Sequence, residues 1–444
     1  MTTTYVYAGQ LTKSAHRPLG RDDYKTLGLS ALGGTLEFYD FVIYVFFAAV
    51  VSKLFFPADM PTWLSMLQTF GIFAAGYLAR PIGGIIIAHY GDLIGRKRMF
   101  TLSIFLMAIP TLIIGLLPTY ASIGIAAPLL LLAMRIMQGA AIGGEMPGAW
   151  VFVAEHVPAN RYAFGVGALT AGIASGNLLG SLVTIGINTI FTAEEVSAWA
   201  WRIPFILGGV FGLISVFLRR YLDETPVFKE LAARRAKASE LPLKTVLREH
   251  RQACVLTAAM TWIMSGAVVV VILMTPAYLQ TWFHLSPALT MQANCAATLT
   301  LSIGCLLFGW LSDRIGTRST MLIGWAGLAV SAWWFYAQLP GNPSSLIWGY
   351  AVTGLFAGAI SLTPIIATRA FPPPVRFTGL SFSYNTAYAV FGGMTPLLIS
   401  IWVIHDLRAP GFYVFALAIL GVFLAFVPMS VNGYQVGRKE QADR

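Results

Sequence analysis

Twelve separate stretches of this chain are apolar over about twenty residues each, the length an α-helix needs to cross roughly 30 Å of hydrocarbon. They fall near residues 26–50, 64–88, 99–117, 124–150, 163–190, 202–221, 253–279, 288–311, 319–338, 345–368, 378–404 and 411–430. Inside a bilayer the backbone finds no water to bond to, so segments of this kind must satisfy themselves as helices. The residues are 57% hydrophobic and 11% charged, against roughly 45–50% and roughly 25% in soluble domains. An all-α polytopic membrane protein with twelve transmembrane helices is therefore expected.

With both termini placed in the cytoplasm, 24 of the 29 Lys and Arg residues fall in cytoplasmic segments. Lys53, Arg202 and Arg408 lie outside, and Arg80 and Arg135 lie within the membrane. That asymmetry sets the orientation by the positive-inside rule. It also accounts for the net charge of +10 without nucleic acid, since the cations border anionic lipid headgroups. No short apolar segment with a cleavage site precedes the first span, so the first helix is expected to act as the signal, in a bacterial-type inner membrane. Cys254, Cys295 and Cys305 fall in spans and read as small buried hydrophobes rather than a disulfide framework. There is no nucleophile elbow and no metal-ligand cluster, and the histidines lie outside the spans or at their ends, so neither an enzyme nor a metal or cofactor is expected. A channel would need a ring-like filter, for which the sequence holds no sign.

The spans divide six and six. The expected organisation is a cytoplasmic segment 1–25, a six-helix bundle 26–221, a charged cytoplasmic linker 222–251, a second bundle 252–430 and a tail 431–444. A motif repeats between the halves: "GDLIGRKR" follows the second span and "SDRIGTRS" the eighth, with Asp92 and Asp313 lying 221 residues apart and each followed three residues later by Gly95 or Gly316. A tight turn between antiparallel helices calls for glycine, for an aspartate able to cap a helix N-terminus, and for cytoplasmic cations.

These repeats, with "EFYDF" (37–41), "ARPIGG" (79–84), the segment 117–145 ending "RIMQGAAIGGE", "WAWRIPF" (199–205), "LDETPVF" (222–228) and "FPPPVRFTGLSFSYN" (371–385), resemble the major facilitator superfamily. Within it they resemble the metabolite:proton symporters, which carry citrate, 2-oxoglutarate, shikimate and proline or betaine. The resemblance covers nearly the whole chain. It implies two pseudo-symmetric six-helix bundles around a central cavity, opened to one side at a time by rocking. It also implies a gating role for Arg80, Asp92, Gly95, Arg96, Asp313, Arg318, Arg369 and Arg376. Three positions depart from the pattern. Thr317 stands where a second arginine is usual, Arg369 stands where relatives often have Glu and is expected to rewire the contact with the loop 313–318, and Pro147 is expected to kink the fourth helix.

The ionisable residues deep in the spans are Glu37 and Asp40 in the first, Arg80 in the second, and Arg135 and Glu145 in the fourth. Each costs at least ~2.5–3.5 kcal/mol at a helix centre and so needs a partner or water. By depth, Glu37, Arg80 and Glu145 share a layer, while Asp40, one turn farther out on the face of Glu37, lies near the middle of the bilayer and Arg135 lies there or slightly outside it. The resemblance, in which spans one and four line the cavity, implies that Asp40 and Arg135 can face each other. Three acids against two arginines leave one carboxyl without a permanent cation, suited to carrying a proton. Asp40 is the first candidate and Glu37 the second, with Glu145 the third; the alternative is that Glu37 and Arg80 only brace two helices. Arg135 belongs to "RIMQG", whose arginine in the resembled family serves proton transfer or an anionic substrate, and its planar fork matches a carboxylate. Gln138 lies one turn away in its support.

Tyr44, Trp262, Asn385 and Tyr388 are the further substrate candidates, with Tyr278, Thr363 and Tyr384 also on the presumed cavity helices. Glycine rows at 172, 176, 180 and at 139, 143 read as helix-packing faces. "GIASGNLLG" lacks the proline common in the fifth span of proton-coupled antiporters, which weighs against drug export. The expected function is import of a small organic anion with protons, a di- or tricarboxylate such as citrate leading, by a monomer. The alternative is a zwitterionic osmolyte of the proline or betaine kind, placed second because the long coiled-coil tail of the osmosensing relatives does not follow the last span. A metabolite sensor that transports nothing ranks third.

Overall fold

The computed structural model describes residues 18–219, 242–339 and 345–426, together with a two-residue pair of antiparallel strands, Ser430–Val431 and Tyr434–Gln435. Most of the expected linker, and most of the terminal segments, lie outside the described residues. The helices are α1 (Arg21–Phe46), α2 (Thr62–Ile94), α3 (Arg96–Leu116), α4 (Ala126–His156), α5 (Tyr162–Ile190) and α6 (Arg202–Arg219), followed by α7 (Arg251–Phe283), α8 (Pro287–Ile315), α9 (Thr317–Gln338), α10 (Leu346–Ala370), α11 (Pro373–Val403) and α12 (Ala409–Leu424). Ten of these are long and apolar enough to cross a membrane. α6 does so with the short helix before it across a 48° bend, and α12 is a shorter apolar helix of 16 residues.

The helix boundaries differ from the expected spans for local reasons. α1 begins at Arg21, ahead of its apolar run, because Asp23 accepts the backbone N–H of Gly20 at 2.7 Å and Asp22 and Asp23 fill the positive first turn. It ends at Phe46 rather than near 50, where Phe47 leaves helical geometry before a short helix Ala48–Leu54. α4 runs unbroken through Pro147. Three helices of the second half change their winding: α7 at the π-helical Val268–Met274, α11 at the π-helical Tyr388–Gly392, and α10 at the 3-10 turn Gly358–Ser361.

Packing repeats with a shift of six helices. α1 lies on α5, α2 on α4 and α3 on α6; correspondingly α7 lies on α11, α8 on α10 and α9 on α12. Between the bundles α2 meets α11 and α5 meets α8, again a symmetric pair. Small residues allow these approaches. A methyl group on Gly143 would overlap the Arg80 carbonyl, and one on Gly139 the Gly76 carbonyl, so α2 and α4 touch backbone to backbone. On α5, Gly172 and Gly176 lie against Ala31 and Thr35 of α1 in the same way.

Candidate proton and substrate site

Asp40 is 1% exposed and Arg135 is 1% exposed, on helices that touch. They do not pair directly. Instead Arg135 Nη1 donates to Gln138 Oε1 at 2.9 Å, Gln138 Nε2 donates to Thr111 Oγ1 at 2.7 Å, and Thr111 Oγ1 lies 3.3 Å from Asp40 Oδ2 as donor. The Thr111 hydroxyl also lies 2.9 Å from the Met107 carbonyl, one helical turn back, so its single proton is shared between two acceptors. The expectation that Asp40 faces Arg135 is thus corrected to a relay through α3 and α4. The reason is rotational: Asp40 points toward α3 and α6, where a Cβ on Gly208 would collide with its Oδ1.

Two polar atoms at the ends of the relay have no hydrogen-bond partner, Asp40 Oδ1 and Arg135 Nε. Buried polar atoms are rarely left so, and those that are tend to mark a place for a ligand or a proton. Around the guanidinium three rings form a cage, with Tyr44 at 4.3 Å, Phe73 at 5.2 Å and Phe41 at 5.4 Å from its carbon to the ring centroids. Tyr44 is held by its hydroxyl, which donates to the Thr69 carbonyl at 3.1 Å, and it stacks on Phe73. Nothing in the sequence singles out Thr111, since a threonine bonding back to its own helix is common in apolar runs. The pair Phe41/Tyr44, three residues apart on α1, carries the readable signal for the cage.

Nearer the turn motifs, Arg80 is 2% exposed and its Nε lies 3.4 Å from Asn385 Oδ1 across the bundle interface. Its guanidinium lies over Tyr388 at 4.4 Å, Tyr77 at 5.5 Å and Tyr384 at 5.7 Å. Asn385 Nδ2 in turn donates to the Gly143 carbonyl at 2.6 Å, and Tyr77 stacks on Tyr388. Asn385 and Tyr388, nominated as substrate contacts, here join the two bundles. Glu145 is fully buried on α4. The side chains of Glu37 and Arg96 lie outside the described residues. Of the other nominated residues, Trp262 donates to the Tyr413 hydroxyl at 3.2 Å and stacks on Phe391, Tyr278 donates to the Leu407 carbonyl, Thr363 donates to the Met260 carbonyl at 3.1 Å, and Tyr384 packs edge-on to Trp150. These contacts lock helices of the second bundle together, or the second bundle to α4, and do not converge on Arg135.

The repeated turns reach across the molecule. Gly95 (φ 129°) and Gly316 (φ 88°) take backbone angles that favour glycine. The aspartates cap helices as the repeat suggests, but in the opposite bundle: Asp92 Oδ2 accepts from Thr378 N and Oγ1, each at 2.9 Å, at the start of α11, and Asp313 accepts from Ala163 N and Phe164 N, each at 2.9 Å, at the start of α5. Arg376 pairs with Glu155 at 2.8 Å, a partner unmarked by any motif. Arg369 lies over the Tyr162 ring at 3.9 Å, Arg318 over Phe426 at 5.1 Å, and Thr317 bonds to Ser312. The bonds that join the bundles run from this end to the middle of the helices, where Asn177 donates to Thr298 at 3.0 Å.

A pair of six-helix bundles with a buried, charged relay in one and mirrored latches between them is the architecture of a membrane transporter rather than an enzyme. The chain belongs to the Major Facilitator Superfamily, whose sequence pattern matches residues 30–293. It is 33% identical over 408 residues to an inner membrane metabolite transport protein of Escherichia coli (strain K12), covering 89% of this chain and 91% of that one. It is 30% identical over 420 residues to the proline/betaine transporter of Salmonella typhimurium, covering 90% and 82%. Its fold matches that of the proton:xylose symporter XylE, solved with 6-bromo-6-deoxy-D-glucose, with a TM-score of 0.76 at 17% identity over 93% of this chain and 97% of that one.

Proposed function

We propose that this transporter imports a small zwitterionic osmolyte, of the proline or betaine class, together with protons, across a bacterial inner membrane. The observation that carries it is the single caged guanidinium. Arg135 offers one planar fork for one carboxylate, and the rings of Tyr44, Phe73 and Phe41 beside it suit an apolar or cationic body. A tricarboxylate would ask for several cations. Among the described residues deep in the spans the one other cation is Arg80, which already lies against Asn385 and three tyrosines. The name of the Salmonella relative points the same way, and so the zwitterion moves ahead of citrate.

In the proposed cycle, with both termini cytoplasmic, the bundles 26–221 and 252–430 rock about the cavity as one monomer. A proton from outside sits on Asp40 at its unpartnered Oδ1, substrate carboxylate engages Arg135 Nε, and the relay through Thr111 and Gln138 lets each end sense the other. Glu37 and Glu145 remain secondary proton candidates. The test is proton entry into proteoliposomes on adding proline, betaine, citrate, tricarballylate, 2-oxoglutarate or shikimate, with Asp40→Asn beside wild type. Proline- or betaine-driven acidification that Asp40→Asn abolishes is the expected result. Acidification by citrate alone returns the anion reading to first place, and normal coupling in Asp40→Asn removes Asp40 from the mechanism.

A further inference from the structure

A groove of about 900 Å³ opens beside α2 at the end of the molecule that carries the turn motifs. Its second wall is the short helix Pro242–Glu249 and the start of α7. On that wall Lys244, Leu247 and Arg248 share one helical face, being spaced three and four residues apart, and Arg251, first residue of α7, reaches back to donate to the Leu247 carbonyl at 2.9 Å, so three cations flank an exposed leucine. The α2 wall is made of Ile85, Ile86, His89 and Tyr90, and among the described residues that line the groove none is acidic. Charge of one sign on one side and hydrocarbon on the other suits a ligand that is itself divided into an anion and an apolar body.

The face of α2 that leads away from the groove extends that division. Leu78, Ile82, Ile86, Tyr90 and Ile94, each four residues from the next, are 68%, 65%, 53%, 48% and 49% exposed. They form a ridge running from the membrane interior to the groove, along which an acyl chain can lie while its headgroup reaches the cations. The helix Pro242–Glu249 also packs on α2 and on α11, one helix from each bundle, with Val246 fully buried beneath it. It therefore bridges the seam that Asp92 closes by accepting from Thr378.

We infer that this groove is a binding site for an anionic phospholipid of the inner leaflet, which pins the bridging helix across the α2–α11 seam. The inference rests on the cytoplasmic placement proposed above for this end. Basic residues at an anionic leaflet contribute about 1 kcal/mol each, so retention of the lipid should fall roughly fivefold for each cation removed.

The test uses the full chain in nanodiscs of phosphatidylcholine and phosphatidylglycerol in equal parts, extracted into detergent, with retained phosphatidylglycerol counted by native mass spectrometry. Wild type should retain it. The variant Lys244→Gln/Arg248→Gln/Arg251→Gln should lose it, Ile86→Ser should weaken it, and Arg98→Gln/Arg314→Gln, two exposed cations at the same end, should not change it. Hydrogen exchange of the Pro242–Glu249 amides should slow with phosphatidylglycerol in wild type and not in the triple variant. Equal retention in the triple variant, or equal loss in the Arg98/Arg314 control, overturns the site. Displacement by glycerol 3-phosphate reassigns it to a soluble phosphate and overturns the lipid. Labelling of Lys244→Cys by an impermeant reagent from each side tests the placement separately, so that a wrong orientation and a wrong site are told apart.

Discussion

At the scale of single residues, the relay makes the hydroxyl of Thr111 the link between Asp40 and Gln138. Removing that hydroxyl while keeping the shape leaves a buried carboxylate and a buried amide each short of a partner, at about 1–3 kcal/mol. Thr111→Val should therefore slow the proposed proton-coupled uptake by about tenfold or more while Thr111→Ser stays near wild type, measured as initial uptake rate with and without a proton gradient. Equal behaviour of the two variants would show that the hydroxyl is not in the coupling path. Arg135→Lys keeps the charge but loses the fork and the delocalised plane that lies against Tyr44, so KM for substrate should rise by about tenfold. An unchanged KM would place the carboxylate elsewhere. The charged members of this site were legible in the sequence, because a charge in a membrane span announces itself by its cost. The partner of Asp40 was not. Which way a helix is turned about its axis depends on what packs against it, here Gly208 of α6 and Thr111 of α3, and no single residue type records that.

Elements of this molecule are set by two signals of different clarity. Apolar length located the helices, and glycine spacing marked packing faces on α5 and α4, whose partners the structure shows to be α1 and α2, where Gly143 meets Arg80 backbone. Changes of winding in α7, α10 and α11 left no such trace: the π-helical Val268–Met274 reads as an ordinary apolar run. A turn of that kind is held by local exchange of partners, as when Thr275 Oγ1 donates to the Val270 carbonyl at 2.8 Å, rather than by composition. The glycine contacts give a direct test. Gly143→Ala forces a methyl into the Arg80 carbonyl and should cost about 1–3 kcal/mol, seen as a lowered Tm in detergent. Gly186, where an added methyl would meet nothing within 4 Å, should accept alanine without loss. If both variants melt alike, close backbone approach is not what holds α2 to α4.

Over the whole molecule, the two turn motifs act at a distance from themselves. Each aspartate caps the first turn of a helix in the opposite bundle, Asp92 at α11 and Asp313 at α5, where a carboxylate meets free N–H groups and the positive end of a helix. The repeat was visible in sequence, yet it suggested a local cap, because sequence distance made the neighbouring helix the natural partner. Under the rocking proposed for transport these caps exist only while this end is closed, so they bias that equilibrium and not the stability of either bundle. Hydrogen bonds to a charged group contribute about 1.5–3 kcal/mol, so Asp92→Ala and Asp313→Ala should each raise the population open at this end relative to the closed one by about tenfold or more. The two caps share no residue and sit on different seams, so their effects should add in free energy and multiply in population. Electron–electron distance measurements between labels on the α2–α3 and α8–α9 turns and the facing ends of α11 and α5 read that ratio directly. A double variant that moves no further than either single one would mean that the bundles open one seam at a time, and the rigid rocking proposed for transport would give way to a hinge within one bundle.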